Sequence, residues 1–187
     1  MRPTATTTAA DSLLALGDSV YRRSADSAKR IWTAALAAAR QTGDSGAMAR
    51  SLTGLGQAAR LLGDYGASRR LGEEALALKL RLQPKPELFR SYNALALLAW
   101  DEERLNDASA LLDRAIEVAR ASGDSVDVVK ATVNSGLVAQ DLGAFDRARA
   151  TLERARDGAS ALHDSTTLAR ALDNLASVDV LLGDPIA

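Results

Sequence analysis

The stretch Ser51-Leu52-Thr53-Gly54-Leu55-Gly56-Gln57-Ala58 decides the fold, because its outline returns every 40 residues: SYNALALL at 91–98, ATVNSGLV at 131–138 and ALDNLASV at 171–178. A small residue recurs inside each copy, at Gly56, Ala96, Gly136 and Ala176. Working outward, Gly63, Gly143 and Gly183 close the same segment, with Glu103 interrupting the series once. Tyr65, Leu105 and Phe145 then supply a bulky apolar residue. Ser68, Ala108 and Ala148 follow three positions on, and Ala75, Ala115 and Ala155 complete the set. One period earlier, Ala28, Trp32, Ala35 and Leu36 stand in phase with Ser68, Gly72, Ala75 and Leu76, so a more divergent unit opens the array. Self-similarity at a fixed period of this length is the mark of a repeat architecture.

Each unit reads as a helical hairpin. Two helices are joined by a tight turn at Gly63 or Gly143, where a left-handed backbone costs glycine little. Junctions between units read Gly43-Asp44-Ser45, Gly123-Asp124-Ser125 and His163-Asp164-Ser165, a stop followed by Asp or Ser as helix cap. Pro86 takes the first-turn position, where proline is tolerated. The small residues at 56, 96, 136 and 176 let the two helices of a hairpin approach closely. The spacing predicts an all-α chain of about nine helices, near 11–22, 26–42, 46–62, 65–82, 86–102, 105–122, 126–142, 145–162 and 166–182. Residues 1–10 are expected to be a flexible tail and 11–187 a single repeat domain. Its repeats fall near 11–44, 45–84, 85–124 and 125–164, with a terminal half-repeat or cap near 165–187. Asp173, Ser177 and Asp179 would give that last helix a polar outer face, while Val178, Leu181 and Leu182 fit a chain cut from a longer protein.

Composition agrees with this reading. The 187 residues are 47% apolar and 4% aromatic, and 38 Ala with 29 Leu leave too few β-branched and aromatic residues for a β-rich domain. The apolar content is also too high, and the net charge of -1 too small, for a disordered chain. That near-neutral balance argues against bulk electrostatic binding to nucleic acid or membrane. Without cysteine there is no disulfide framework and no thiolate ligand or nucleophile. The opening residues 1–8 lack the apolar core of a secretory signal, and the longest apolar run, Ala94 to Trp100, is far too short to span a membrane. A cytoplasmic location is expected.

The pattern resembles the tetratricopeptide repeat family. The small residue on the first helix, the glycine and aromatic at the turn, and the alanine on the second helix match at Gly56, Gly63, Tyr65 and Ala75. They match again at Gly136, Gly143, Phe145, Ala148 and Ala155. The 40-residue period and the string Ala171-Leu172-Asp173-Asn174-Leu175-Ala176 are most similar to the longer variant typified by kinesin light chains. The chain departs from the family pattern at Gly72, where a bulky apolar residue is usual, and in lacking the proline after the second helix except at Pro84. The resemblance implies a right-handed superhelical α-solenoid whose first helices line a concave groove.

No catalytic constellation can be read. The single histidine, His163, falls at a junction where other units place Gly43, Gln83 and Gly123, which suits a solvated loop better than acid–base work. Adjacent carboxylates such as Glu73-Glu74 and Glu102-Glu103 do not share a helix face. Phosphate-binding glycine loops and metal-ligand spacings are missing from the sequence, so neither an enzymatic activity nor a cofactor is expected.

Superposing the units gives one informative set. Arg50, Arg90, Lys130 and Arg170 occupy the same early position on successive first helices, with Asn93, Asn134 and Asn174 beside them. Gln57, Leu97 and Leu137 come a turn later, then Trp100. In the family's geometry these residues would face the groove. The amides would then bond a peptide backbone, the cations would engage carboxylates, and the leucines and Trp100 would take an apolar anchor. An equally open reading is a plain helix surface, since Glu87 and Asp127 stand three residues before Arg90 and Lys130, the spacing of intrahelical ion pairs. The expected function is a non-enzymatic scaffold or adaptor for a protein or peptide, acidic or carboxylate-bearing. The alternatives are the sensor portion of a larger enzyme or regulator, and self-assembly of copies through the unpaired last helix.

Overall fold

The computed structural model describes residues 8–82 and 88–183. Among these, nine α-helices follow one another: α1 (Ala9–Tyr21), α2 (Ala25–Thr42), α3 (Ser45–Leu61), α4 (Tyr65–Arg81), α5 (Leu88–Asp101), α6 (Leu105–Ala121), α7 (Ser125–Asp141), α8 (Phe145–Ala161) and α9 (Ser165–Leu182). No strand interrupts them among the described residues. Every helix expected from the 40-residue spacing is present, and where both ends lie among the described residues they are displaced by two residues at most. The larger displacement is at α1, which starts at Ala9 because Thr8 caps it in a reciprocal box with Asp11; the expected start of α5 at residue 86 lies outside the described residues. Ala10 is accordingly buried rather than part of a tail. Residues 1–7 of the expected tail, the prolines Pro84 and Pro86 with Gln83 and Glu87, and residues 184–187 lie outside the described residues.

The turns repeat one construction. After six of the helices a backbone N–H two or three residues beyond the helix bonds back five positions, from Asp44 to Ala39, Asp64 to Ala59, Arg104 to Ala99, Asp124 to Ala119, Ala144 to Ala139 and Asp164 to Ala159, at 2.8–3.0 Å. This satisfies an orphan carbonyl and requires a left-handed residue in between. Four glycines, Gly43, Gly63, Gly123 and Gly143, supply it with φ between 69° and 79°, but Glu103 (φ 59°) and His163 (φ 54°) adopt it without being glycine. The break in the glycine series at Glu103 is therefore a change of residue and not of turn. Asp44, Asp64, Asp124 and Asp164 then cap the next helix by accepting from a backbone N–H at 2.9–3.0 Å.

The residues form two compact units, Met1–Ala94 and Leu95–Ala187, and the division falls inside α5. In the first unit α1 packs on α2, α2 on α3 and α3 on α4, and the first helices α1 and α3 also touch. Its core centres on Trp32, which is 1% exposed and lies beside Tyr21 with ring centroids 5.4 Å apart and ring planes tilted by 46°. Gly17 of α1 and Gly54 of α3 both lie against the indole: a Cβ on Gly54 would meet Trp32 Cδ2 at 2.5 Å. Gly56 faces Gly72 instead, so α3 and α4 close backbone to backbone, which accounts for the missing bulky residue at 72.

In the second unit α6 packs on α7, α7 on α8 and α8 on α9, with α7 also touching α9. Gly136 receives Leu152, whose Cγ would stand 2.6 Å from an added Cβ, and Ala108, Ala115, Ala148 and Ala155 are fully buried. On α9, Asp173 is exposed, whereas Asp179 turns to α8 and pairs with Arg149 at 3.2 Å. Val178 is fully buried and Leu181 half exposed.

Candidate functional site

The 40-residue register sets the sequence-predicted residues on first helices: Arg50 and Gln57 on α3, Arg90, Asn93, Leu97 and Trp100 on α5, Lys130, Asn134 and Leu137 on α7, and Arg170 and Asn174 on α9. The four cations are all exposed. In the first unit Arg50, Gln57 and Arg90 line one cavity of about 170 Å³ together with Asp11 and Asp18 of α1 and Lys79 of α4. Arg50 forms an ion pair with Asp11 across the α1–α3 contact. The Arg50 guanidinium, and after it the Thr8 hydroxyl and backbone N–H, hold the Asp11 carboxyl below its ordinary value of 3.8. Lys79, by contrast, is 1% exposed. Lys79, Asp18, Arg90 and Asn93 each carry a hydrogen bond, ion pair or electrostatic interaction of their own.

The second unit treats its members differently. Lys130 pairs with Asp127 one turn earlier at 3.6 Å. Arg170 of α9 reaches across to Asn134 of α7, donating to its Oδ1 at 3.5 Å, so these two are brought together. The Asn174 amide donates at 2.7 Å to the Arg170 carbonyl of its own helix. Trp100 packs against the cluster of Ala96, Ala99, Ala108, Leu112 and Val138, and its indole N–H donates to Asp141 at 2.6 Å. Leu137 packs against the core formed by α7, α8 and α9, and Leu97 is half-buried. A larger cavity of about 530 Å³ opens over α7 between α6 and α8, where Ile116, Arg120, Val128, Thr132 and Arg154 line it, and none of the sequence-predicted residues does.

Asp11, Lys79 and Asp141 were not reached from the sequence. For Lys79 the signal was there: one period away in either direction stand Ala39 and Ala119, and then Ala159, so a lysine in that series is out of place. Asp11 and Asp141 gave no such signal, because their partners depend on how neighbouring helices cross.

The elements at hand offer charge-assisted and amide hydrogen bonds together with half-buried apolar side chains, a combination suited to binding polypeptide. Among the described residues no group of three or more His, Cys, Asp or Glu is placed to hold a metal ion, and no helix is long and apolar enough to cross a membrane.

Comparison with known proteins supports the fold. Two tetratricopeptide repeat family models match, one over residues 48–82, which holds most of the α3–α4 hairpin, and one over 89–122, which holds most of α5–α6. No curated protein sequence matches the chain. Among solved structures, a protein of Podosopora anserina described as a kinesin light chain with nearly identical TPR-like repeats superposes with a TM-score of 0.75 at 15% identity, covering 96% of this chain and 90% of that one. Aspartyl phosphate phosphatase F from Bacillus subtilis superposes with a TM-score of 0.80 at 15% identity, over 93% of this chain and 46% of its own length. A Rap protein complexed with Competence and Sporulation Factor gives 0.59 at 16% identity, over 93% and 53%. The chain thus spans about half the length of the last two. With hairpins of this register, turns of this construction and two matching family models, the chain carries tetratricopeptide repeats at residues 48–82 and 89–122.

Proposed function

We propose that the chain is a non-enzymatic scaffold that binds a protein or peptide carrying carboxylates on the surface made by its first helices. The observation that carries this reading is the cavity of the first unit, where Arg50 and Arg90 from two first helices meet beside Gln57. Arginine forks match carboxylate geometry, and an amide can bond a peptide backbone without reading its side chains. In the second unit Arg170 and Asn134 form a smaller pair of the same kind. The Rap protein bound to Competence and Sporulation Factor is a case of the same fold holding a partner.

The test is charge reversal. Arg90→Glu combined with Lys130→Glu should abolish capture of peptides selected from a random display library, while helicity and melting stay near wild type. Unchanged capture would show that these cations are ordinary helix surface.

A second reading has one observation in its favour. Because the chain covers 46% of the phosphatase and 53% of the Rap protein, it corresponds to a portion of those molecules, and it would then be the sensing part of a larger regulator. Intact mass of the native protein decides this reading: a mass well above 19.6 kDa supports it.

A further inference from the structure

One face of the second unit lacks packing that the first unit has in the same register. In the first unit Met48, Leu52, Leu55, Leu71 and Leu78 of α3 and α4 belong to the core around Trp32 or pack against it. One period on, the sequence keeps large side chains at these places, as Leu88, Tyr92, Leu95, Leu111 and Val118. Two periods on they become Val128, Thr132, Ser135, Thr151 and Gly158, each smaller than its counterparts and three of them hydroxylic. All five line the cavity of about 530 Å³ that opens over α7 between α6 and α8. Reductions gathered round one space, instead of scattered along the helices, give that space a shape. A void in a packed helix contact forfeits dispersion contacts with nothing in return. Thr132 and Thr151 are 8% and 5% exposed, so polar atoms stand where the first unit places leucine. Their hydroxyls are held but not exhausted. Thr132 donates to the Val128 carbonyl at 2.7 Å and Thr151 accepts from Arg154 at 3.1 Å, so each oxygen keeps a lone pair for a ligand donor. A second cavity, of about 400 Å³, shares Arg120, Val128, Val129 and Gly158 with the first and carries the groove on to Leu162. At the rim Glu117 is paired with Arg114 at 2.8 Å, so Arg120 and Arg154 stand against Asp113. The rim is thus cationic on balance.

We propose that this groove between the second helices α6 and α8 is a binding site for a small amphipathic anion. Its apolar body fills the space left by the missing side chains, against Val128 and Val129, and its charged group meets Arg120, which borders both cavities. The volume of about 530 Å³ lies within the roughly 300–1,000 Å³ of small-molecule sites. An apolar wall with a few placed polar groups is also the usual lining of such sites. None of the residues proposed above for peptide binding lines the groove, so the site stands or falls separately from that reading.

The test titrates the folded chain with two fluorescent probes that brighten on leaving water, anilinonaphthalene sulfonate and its uncharged analogue phenylnaphthylamine. The expected result is saturable binding of one sulfonate per chain. Filling the groove as the first unit fills it, by Thr132→Leu with Ser135→Leu, should weaken that binding tenfold or more. This variant should melt at or above the wild-type temperature, because Leu52 and Leu55 already serve at those positions in the first unit. Thr151→Leu fills the α8 wall instead and should give the same loss. Arg120→Gln should weaken the sulfonate at least threefold and leave the uncharged analogue within twofold. No saturable binding to wild type, or equal binding to wild type and both filled variants, would overturn the site. Equal losses of both probes in Arg120→Gln would overturn the choice of an anion. Loss of helicity in both filled variants would make the small residues a packing need and overturn the site likewise.

Discussion

At Gly136 the absence of a side chain is a packing requirement and has nothing to do with backbone freedom. The space a Cβ would take is already filled by Leu152, whose Cγ lies 2.6 Å from it. Enlarging the residue to leucine should therefore overpack the α7–α8 contact and lower stability by about 1–3 kcal/mol or more, read as a drop in urea midpoint. Leu152→Ala alone removes a fully buried side chain and should cost about 2–5 kcal/mol. Combined with Gly136→Ala, which uses part of the vacated space, the penalty should be smaller than the sum of the two. A strictly additive double variant would mean that 136 and 152 do not face each other. The same exchange of size runs through the chain. Trp32 is matched by Gly17 and Gly54, while Gly72 is matched by Gly56. What looked from one position like a missing bulky residue is one half of a complementary pair.

At the scale of the element, the hairpin turn holds its geometry even where its residue is wrong for it. Glu103 and His163 take φ values of 59° and 54° in turns that glycine makes elsewhere, and in both turns the next residue keeps the five-position bond back to an alanine carbonyl. Left-handed backbone costs a residue with a Cβ roughly 1–2 kcal/mol, less than the packing of the helices on either side contributes. Glu103→Gly and His163→Gly should each stabilise the chain by about 1 kcal/mol, and Gly63→Ala should do the reverse, all measured by urea unfolding. No gain in either glycine variant would show that the turns are not under backbone strain. This is also why the helices were legible in the sequence and part of the site was not. Period, turn glycine and Asp cap are local signals, and they located Asp44, Asp124 and Asp164 as well as the helix limits. The Asp127–Lys130 pair is local too and was open to view from its spacing. The Arg50–Asp11, Arg170–Asn134 and Trp100–Asp141 contacts join residues about 36–41 positions apart and are set by how one helix crosses the next. Spacing says nothing of that angle. Superposed repeats placed Arg50 and Arg90 on equivalent faces, but the burial that singles out Lys79 came from packing.

For the molecule as a whole, near-neutral charge hides an uneven use of its carboxylates. Asp11 and Asp164, one in each unit, titrate below the ordinary aspartate value of 3.8: Asp11 is held down first by the Arg50 guanidinium, and Asp164 first by the Thr167 hydroxyl and then by its backbone N–H. Both are more acidic folded than unfolded, so between the depressed value and 3.8 the folded chain binds fewer protons than the unfolded one. The stability each contributes is complete above the unfolded value and is lost as pH falls through the folded value. Thermal midpoints should therefore be nearly level from pH 7 to about pH 5 and fall below about pH 4. Both groups are open to solvent, so each contributes modestly and salt weakens the Asp11 share. Asp11→Asn and Asp164→Asn should each lower stability at pH 7 and flatten the acid fall, since the variant has no proton left to take up. Because the two act in separate units through separate partners, their effects on the acid fall should add. An acid fall of unchanged steepness in the double variant would place the pH sensitivity of this chain in other carboxylates.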